Sequence, residues 1–271
     1  MAMVQQQPDG DRAHGPGSTQ RRTSRILTET VTIPLPGAAP MQGYLARPDT
    51  TGPLVGVLVG MELFGISAHV RDVCERLADL GYLALAPDLH HRHASMVELP
   101  EDDGGRARGF ALLHRMTRPT VLADLQAALD YLYLRCGAGV AGMVGLSVGG
   151  HVAYLAATAL ELPAVVIAYG GWIPTTDIPL SQPESTLAGT PGITGRVLIL
   201  IGEGDQLIPA DHRRQLTAAL TAAGVTHELV TYPDTGHGFL SNRRDSYQDH
   251  AATDTWHRIA HWITPDTPRA H

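Results

Sequence analysis

Five short, nearly uninterrupted apolar runs recur along the chain: PLVGVLVGM at 53–61, LALAP at 83–87, GMVGL at 142–146, AVVIAY at 164–169 and VLILI at 197–201. None alternates apolar with polar residues, and each has the length of a strand. Such runs read as strands covered on both faces, the pattern of a parallel sheet. Segments with helical spacing lie between them. In 68–80, Val70, Val73, Leu77 and Leu80 share one face, and Gly81 is placed to end the helix. Residues 119–134 form an amphipathic helix with Pro119 in its first turn. Further helices are expected over 148–160, 210–223 and about 244–263. Residues 27–33 and 41–46 read as a hairpin around Pro36-Gly37, and 227–232 as the last strand.

Residues 89–118 read as irregular, and 171–195 as a loop longer than most connections, the kind that carries function. The alternation, without internal repeats, predicts an α/β fold: one mostly parallel, twisted sheet with helices on both faces. A single domain is expected over 26–265, preceded by a disordered tail over 1–25 that is rich in Gln, Gly, Pro and Arg.

Composition narrows the functions. The net charge is −7 and no basic stripe runs along any segment, which argues against nucleic-acid binding. All 20 basic residues are Arg; without Lys there is neither Schiff-base chemistry nor a P-loop. Cys74 and Cys136 fall in helical stretches and make no disulfide framework, which suits a reducing compartment. The first residues lack the apolar core of a secretory signal, and no run reaches the ~20 apolar residues of a membrane span. The expectation is a cytoplasmic protein, monomer or homodimer, acting on a small molecule, with no membrane partner and no cofactor.

Ligands of such sheets bind beyond the carboxyl ends of the strands. There the chain carries Gly145-Leu146-Ser147-Val148-Gly149, directly between a strand and a helix. G-x-S-x-G in that setting is the nucleophile elbow of an α/β-hydrolase fold, in which a tight turn exposes the serine above the sheet. The bland alternative is a serine that merely caps the helix. A nucleophilic serine needs a base, and the base an orienting acid, in the chain order Ser, Asp or Glu, His. The strand VLILI ends in GEGD, so Asp205 is the candidate acid, with Glu203 the near competitor and Asp211 a distant one; the bland alternative is a turn aspartate bonding its own backbone. His237, in DTGHGF after the last strand, is the candidate base. The oxyanion that forms on a substrate carbonyl needs two waiting N–H groups. Val148 is expected to supply one, and the loop after 53–61, Gly60-Met61-Glu62-Leu63-Phe64-Gly65, the other. His90, His91 and His93 form an H-H-x-H cluster, but no second ligand group supports a metal there.

At MELFGISAHVRDVCERLADLGYLALAPDL the chain resembles the dienelactone hydrolase family, with its E-x-F-G turn. GLSVGG, GEGDQLIP and GHGF follow in the family's order, and the resemblance covers about residues 53–262. It implies that Leu63 gives the second oxyanion N–H and that Glu62 contacts the nucleophile at rest. The family's usual nucleophile is Cys, where this chain has Ser147. A hydroxyl holds its proton far more firmly than a thiol, so the serine must lean on His237. Founding members hold an anionic lactone with arginines. One of these lies four residues after the histidine, where this chain has Ser241, and Arg106 or Arg108 stands as a match for another.

The leading expectation is hydrolysis of an ester, lactone or thioester through an acyl-enzyme on Ser147. Glu62, Phe64, Trp172 and Phe239 are the candidate substrate-binding residues, although aromatics are as often core. Two other readings stand beside it: the same site used for acyl transfer, elimination or C–C cleavage, and an inactive homologue that only binds.

Overall fold

The computed structural model describes residues 25–264. The expected tail over 1–25 therefore falls, but for Arg25, outside the described residues. Eight strands form one sheet: β1 (Ile26–Ile33), β2 (Met41–Pro48), β3 (Leu54–Gly60), β4 (Tyr82–Pro87), β5 (Gly137–Leu146), β6 (Ala164–Ala168), β7 (Arg196–Gly202) and β8 (His227–Tyr232). Their order across the sheet is β1-β2-β4-β3-β5-β6-β7-β8. β1 and β2 form the expected antiparallel hairpin, and β2 also runs antiparallel to β4; every pair from β4 to β8 is parallel. Consecutive residues of β6 and β7 are buried, as the apolar runs predicted, so both faces of the sheet are covered.

The helices are α1 (Ala68–Asp79), α2 (Asp103–Leu113), α3 (Arg118–Cys136), α4 (Val148–Ala159), α5 (Ala210–Ala222) and α6 (Asp249–Trp262). α1 meets α6 where the Arg76 guanidinium stacks on Trp256, 4.3 Å from the ring centroid. Among the described residues no helix is long and apolar enough to cross a membrane.

Three expectations need correction. Residues 89–118 are not irregular throughout, because α2 lies within them. Its sequence, DGGRARGFALL, has no apolar stripe, and it packs through glycines instead. A Cβ on Gly105 would sit 1.8 Å from the Pro100 carbonyl oxygen, and one on Gly109 would sit 2.7 Å from Leu63 Cγ. The last helix starts at Asp249, not near 244; residues 241–248 fold back in successive turns, with Arg244 N–H donating to Ser241 O and Gln248 N–H to Phe239 O. The 171–195 loop contains two short 3-10 segments, Pro179–Ser181 and Thr186–Gly192. Its path is tied to α4 by buried polar contacts. His151 bonds the Gly171 carbonyl through Nδ1 at 2.9 Å and Thr186 Oγ1 through Nε2 at 2.9 Å, and Tyr154 Oη lies 2.5 Å from Thr190 Oγ1.

β3 sends its connection toward β4, and β5 sends its connection toward β6. The crevice between these two neighbours is the topological switch point, where a ligand fits beyond the strand ends. Gly60 and Gly145, the partners near the ends of β3 and β5, bring the Glu62–Leu63 turn beside Ser147.

Candidate active site

Ser147 has φ +54° and ψ −116°, a strained conformation that a non-glycine residue adopts only where its surroundings impose it. They do so through close backbone approach. A Cβ on Gly145 would lie 2.0 Å from the Gly149 carbonyl oxygen, and a Cβ on Gly149 would lie 2.3 Å from the Gly60 carbonyl oxygen. Both glycines of the motif are thus required, the second by β3 and not by the first. Ser147 occupies the N-cap position of α4, yet its side chain makes no capping bond. The hydroxyl instead lies 2.9 Å from His237 Nε2.

His237 hangs from the loop after β8, and its Nδ1 lies 2.8 Å from Asp205 Oδ2. The carboxylate can only accept, so Nδ1 carries the proton and Nε2 is left to accept from the serine. Asp205 follows β7 and is 3% exposed. Its other oxygen accepts the Leu207 N–H at 2.9 Å. The turn-aspartate and orienting roles therefore coexist in one side chain. Glu203 is not part of this chain of bonds, and Asp211 lies on α5, bonded to Arg214 and Gln215.

Leu63 and Val148 both line the cleft beside Ser147. Val148 is the first residue of α4, where helical N–H groups have no partner within the helix. Among the described residues neither the Leu63 nor the Val148 N–H has a backbone acceptor. Leu63 is braced from two sides: Gly109 of α2 packs on its side chain, and His90 Nε2 lies 3.4 Å from its carbonyl oxygen. Burial pushes the His90 imidazole down to about 4, so it is neutral near pH 7 and donates through Nε2. The other two histidines of the H-H-x-H cluster turn elsewhere, His91 to the buried carboxylate of Asp124 and His93 to the Arg115 carbonyl. Among the described residues no group of side chains is disposed to hold a metal ion.

The cleft over Ser147 has a volume of about 660 Å³. Phe64 and Trp172 line it, as expected, and Trp172 meets Phe110 of α2 edge to face at 6.2 Å. Phe239 does not line it. It is fully buried, with ring centroids 5.2 Å from Tyr169 and 5.3 Å from Tyr232, and belongs to the core. Tyr169, which the sequence did not single out, backs the His237 ring edge to face at 5.2 Å, with φ +44° at the end of β6. Its burial raises its hydroxyl well above the usual tyrosine range. A second cleft, of about 540 Å³, opens at the opposite end of the sheet, near the starts of β6, β7 and β8; no residue of the Ser147 constellation reaches it.

Glu62 lies in the site, paired with an arginine. Its carboxylate, 1% exposed, is gripped by Arg244, whose Nη1 donates to Oε1 at 3.1 Å and whose Nη2 donates to Oε2. Among the described residues no hydrogen bond joins Glu62 to Ser147, although both line the same cleft. Arg244 itself was missed. The expectation looked four residues past His237, at Ser241, which is buried with its hydroxyl unpartnered among the described residues. The fold-back over 241–248 brings the residue seven past the histidine into the cleft instead. Of the two α2 arginines, Arg106 lines the cleft and Arg108 does not.

The dienelactone hydrolase family model matches residues 41–266. A Synechocystis relative named "Putative carboxymethylenebutenolidase" is 34% identical over 239 residues, 88% of this chain and 96% of the relative. A Bradyrhizobium relative named "Probable 2-oxo-3-(5-oxofuran-2-ylidene)propanoate lactonase" is 30% identical over 86% of this chain and 92% of its own length. The crystal structure of a "Putative Dienelactone Hydrolase" from Klebsiella pneumoniae subsp. pneumoniae superposes with a TM-score of 0.79 at 32% identity, covering 89% of this chain and 99% of that one.

Proposed function

The chain belongs to the dienelactone hydrolase family and is a hydrolase acting on ester bonds; we propose that it works as a serine hydrolase of carboxylic esters, lactones or thioesters through an acyl-enzyme on Ser147. The observation that supports this most is the unbroken relay Asp205–His237–Ser147, with separations of 2.8 and 2.9 Å, on an elbow strained at the serine.

In this reading Ser147 Oγ attacks the substrate carbonyl carbon while His237 Nε2 takes the hydroxyl proton. The carbonyl π pair moves onto oxygen, and the N–H groups of Leu63 and Val148 stabilise that charge. Asp205 holds the imidazole in the tautomer the step needs and stabilises the imidazolium it becomes. When the carbonyl re-forms, the bond to the leaving oxygen or sulfur breaks and His237 returns its proton to that atom. In a lactone the leaving oxygen stays tethered to the acyl group. Water then repeats the sequence against the acyl-enzyme, releasing the acid and regenerating Ser147. Every proton and electron pair of the cycle is carried by these side chains, the substrate and water.

A fluorophosphonate probe tests the nucleophile directly, with mass-spectrometric mapping of the adduct. Wild type should carry the label on Ser147, and Ser147→Ala should carry none. Hydrolysis in heavy-oxygen water should place one heavy atom in the product acid; an unlabelled acid would instead point to elimination, and an acylated acceptor in place of the acid to acyl transfer. Turnover of esters by Ser147→Ala at the wild-type rate would remove the proposal.

A further inference from the structure

Arg244 is a largely buried cation of the cleft, and four of its five N–H donors are engaged by two carboxylates. Glu62 occupies the Nη1/Nη2 fork, and Glu101 the Nε/Nη2 fork, with Nη2 donating to Glu101 Oε1 at 2.8 Å. The Phe64 ring covers one face of the guanidinium, 5.4 Å from its centre. The two carboxylates differ in what holds them. Glu62 is sealed in the turn before Leu63, whereas Glu101 stands at the mouth, its side chain 29% exposed, just before α2. Glu62 alone balances the charge of Arg244; Glu101 adds a negative charge and fills the fork facing the entrance. Elsewhere along the lining, Asp205 and Asp245 add acidic groups, and Arg243 is paired with Asp72. Arg106, on α2, is the remaining arginine of the lining and is exposed, whereas Arg244 is largely buried.

We infer that Glu101 makes this cleft selective for substrates with an uncharged acyl group, by occupying the fork of Arg244 that a substrate carboxylate would need. The inference rests on the reading of the same cleft as an ester-hydrolase site. An anionic acyl group would have to displace Glu101 from two charge-assisted hydrogen bonds and then share the cleft with it, whereas an uncharged group leaves the pair in place.

The test compares two esters that differ in this charge: 4-nitrophenyl hydrogen adipate, with a free carboxylate at the far end of an acyl chain too long to close readily onto the ester, and its methyl ester, each with the enzyme-free rate of nitrophenolate release subtracted. Dissociation constants are measured by calorimetry on Ser147→Ala protein, where the esters bind without turnover, with Glu101 present and with Glu101→Gln or Glu101→Asp added. With Glu101 in place the uncharged ester should bind more tightly. Glu101→Gln should shift the ratio of the two constants toward the anion on the order of tenfold, and Glu101→Asp, which keeps the charge, should preserve the preference for the uncharged ester. A preference for the anion with Glu101 present, or a ratio that Glu101→Gln does not move, would overturn the inference. Release of nitrophenolate by protein with Ser147 intact reports separately on the hydrolase reading. If none is released, that reading fails while the binding ratio still decides the role of Glu101.

Discussion

The Ser147 hydroxyl lies 2.9 Å from Nε2 of His237, although the two residues are 90 positions apart in the chain. The serine leaves the middle of the sheet and the histidine its far edge, and Asp205 fixes the imidazole between them. Ser147→Ala should therefore lower kcat on 4-nitrophenyl esters by on the order of 10³-fold or more. Asp205→Asn should lower it by a comparable factor, because an amide in place of the carboxylate favours the wrong tautomer of His237. Both variants should melt near the wild-type temperature. A kcat loss below about tenfold in Asp205→Asn would remove the orienting role.

Gly109 gives a test of the oxyanion turn that leaves the triad untouched. A Cβ there would lie 2.7 Å from Leu63 Cγ and 2.9 Å from the Leu63 carbonyl oxygen. Gly109→Ala should push the Leu63 N–H off its position and lower kcat roughly tenfold or more, with a smaller change in KM, since the loss falls mainly on the transition state. Steady-state kinetics read the split. An unchanged kcat would show that α2 does not set the position of Leu63.

Phe239 belongs to the core, so its truncation should act on stability. Phe239→Ala removes a fully buried ring packed between Tyr169 and Tyr232 and should cost about 3–5 kcal/mol, measured by urea unfolding. A cost under about 1 kcal/mol would contradict the packing.

Acid should loosen the protein through its buried histidines. Burial lowers the His151 imidazole from 6.5 to about 4, so the folded form keeps it neutral while the unfolded chain protonates it below about pH 6.5. Between those values the unfolded state binds more protons, and stability falls as pH falls, by about 1.4 kcal/mol per pH unit from this one group. His90, also lowered to about 4, acts in the same sense. Unfolding free energies at pH 7 and pH 5 should show the loss. His151→Gln should be less stable at pH 7 but should lose less between the two pH values. An equal loss in both proteins would mean that His151 does not titrate as its burial requires.

The sheet and the triad positions were legible because each rests on a local signal. Continuous apolar runs suit strands covered on both faces; Ser147 and Asp205 each follow such a strand, His237 follows the mixed, partly exposed last strand, and all three lie in glycine-bearing turns. α2 was hidden because its packing surface is made of glycines, which leave no apolar period to detect. Arg244 was hidden because its approach depends on how residues 241–248 fold back, a property of turns that no spacing rule encodes. Phe239 shows the converse failure: in an irregular loop nothing in the sequence says whether an aromatic side chain turns toward the cleft or toward the sheet. Tyr169, the last apolar residue of its run, could have been flagged by its place at a strand tip between two site-bearing strands.

The placement of His237 in the loop after the outermost strand has a consequence for how the protein comes into being. A chain emerging from synthesis can complete its elbow at Ser147 long before His237 exists, and under the proposed mechanism it should stay inert until β8 has docked beside β7. Recovery of ester cleavage after dilution from denaturant would thus clock the seating of the final strand, while core fluorescence could regain its native value earlier.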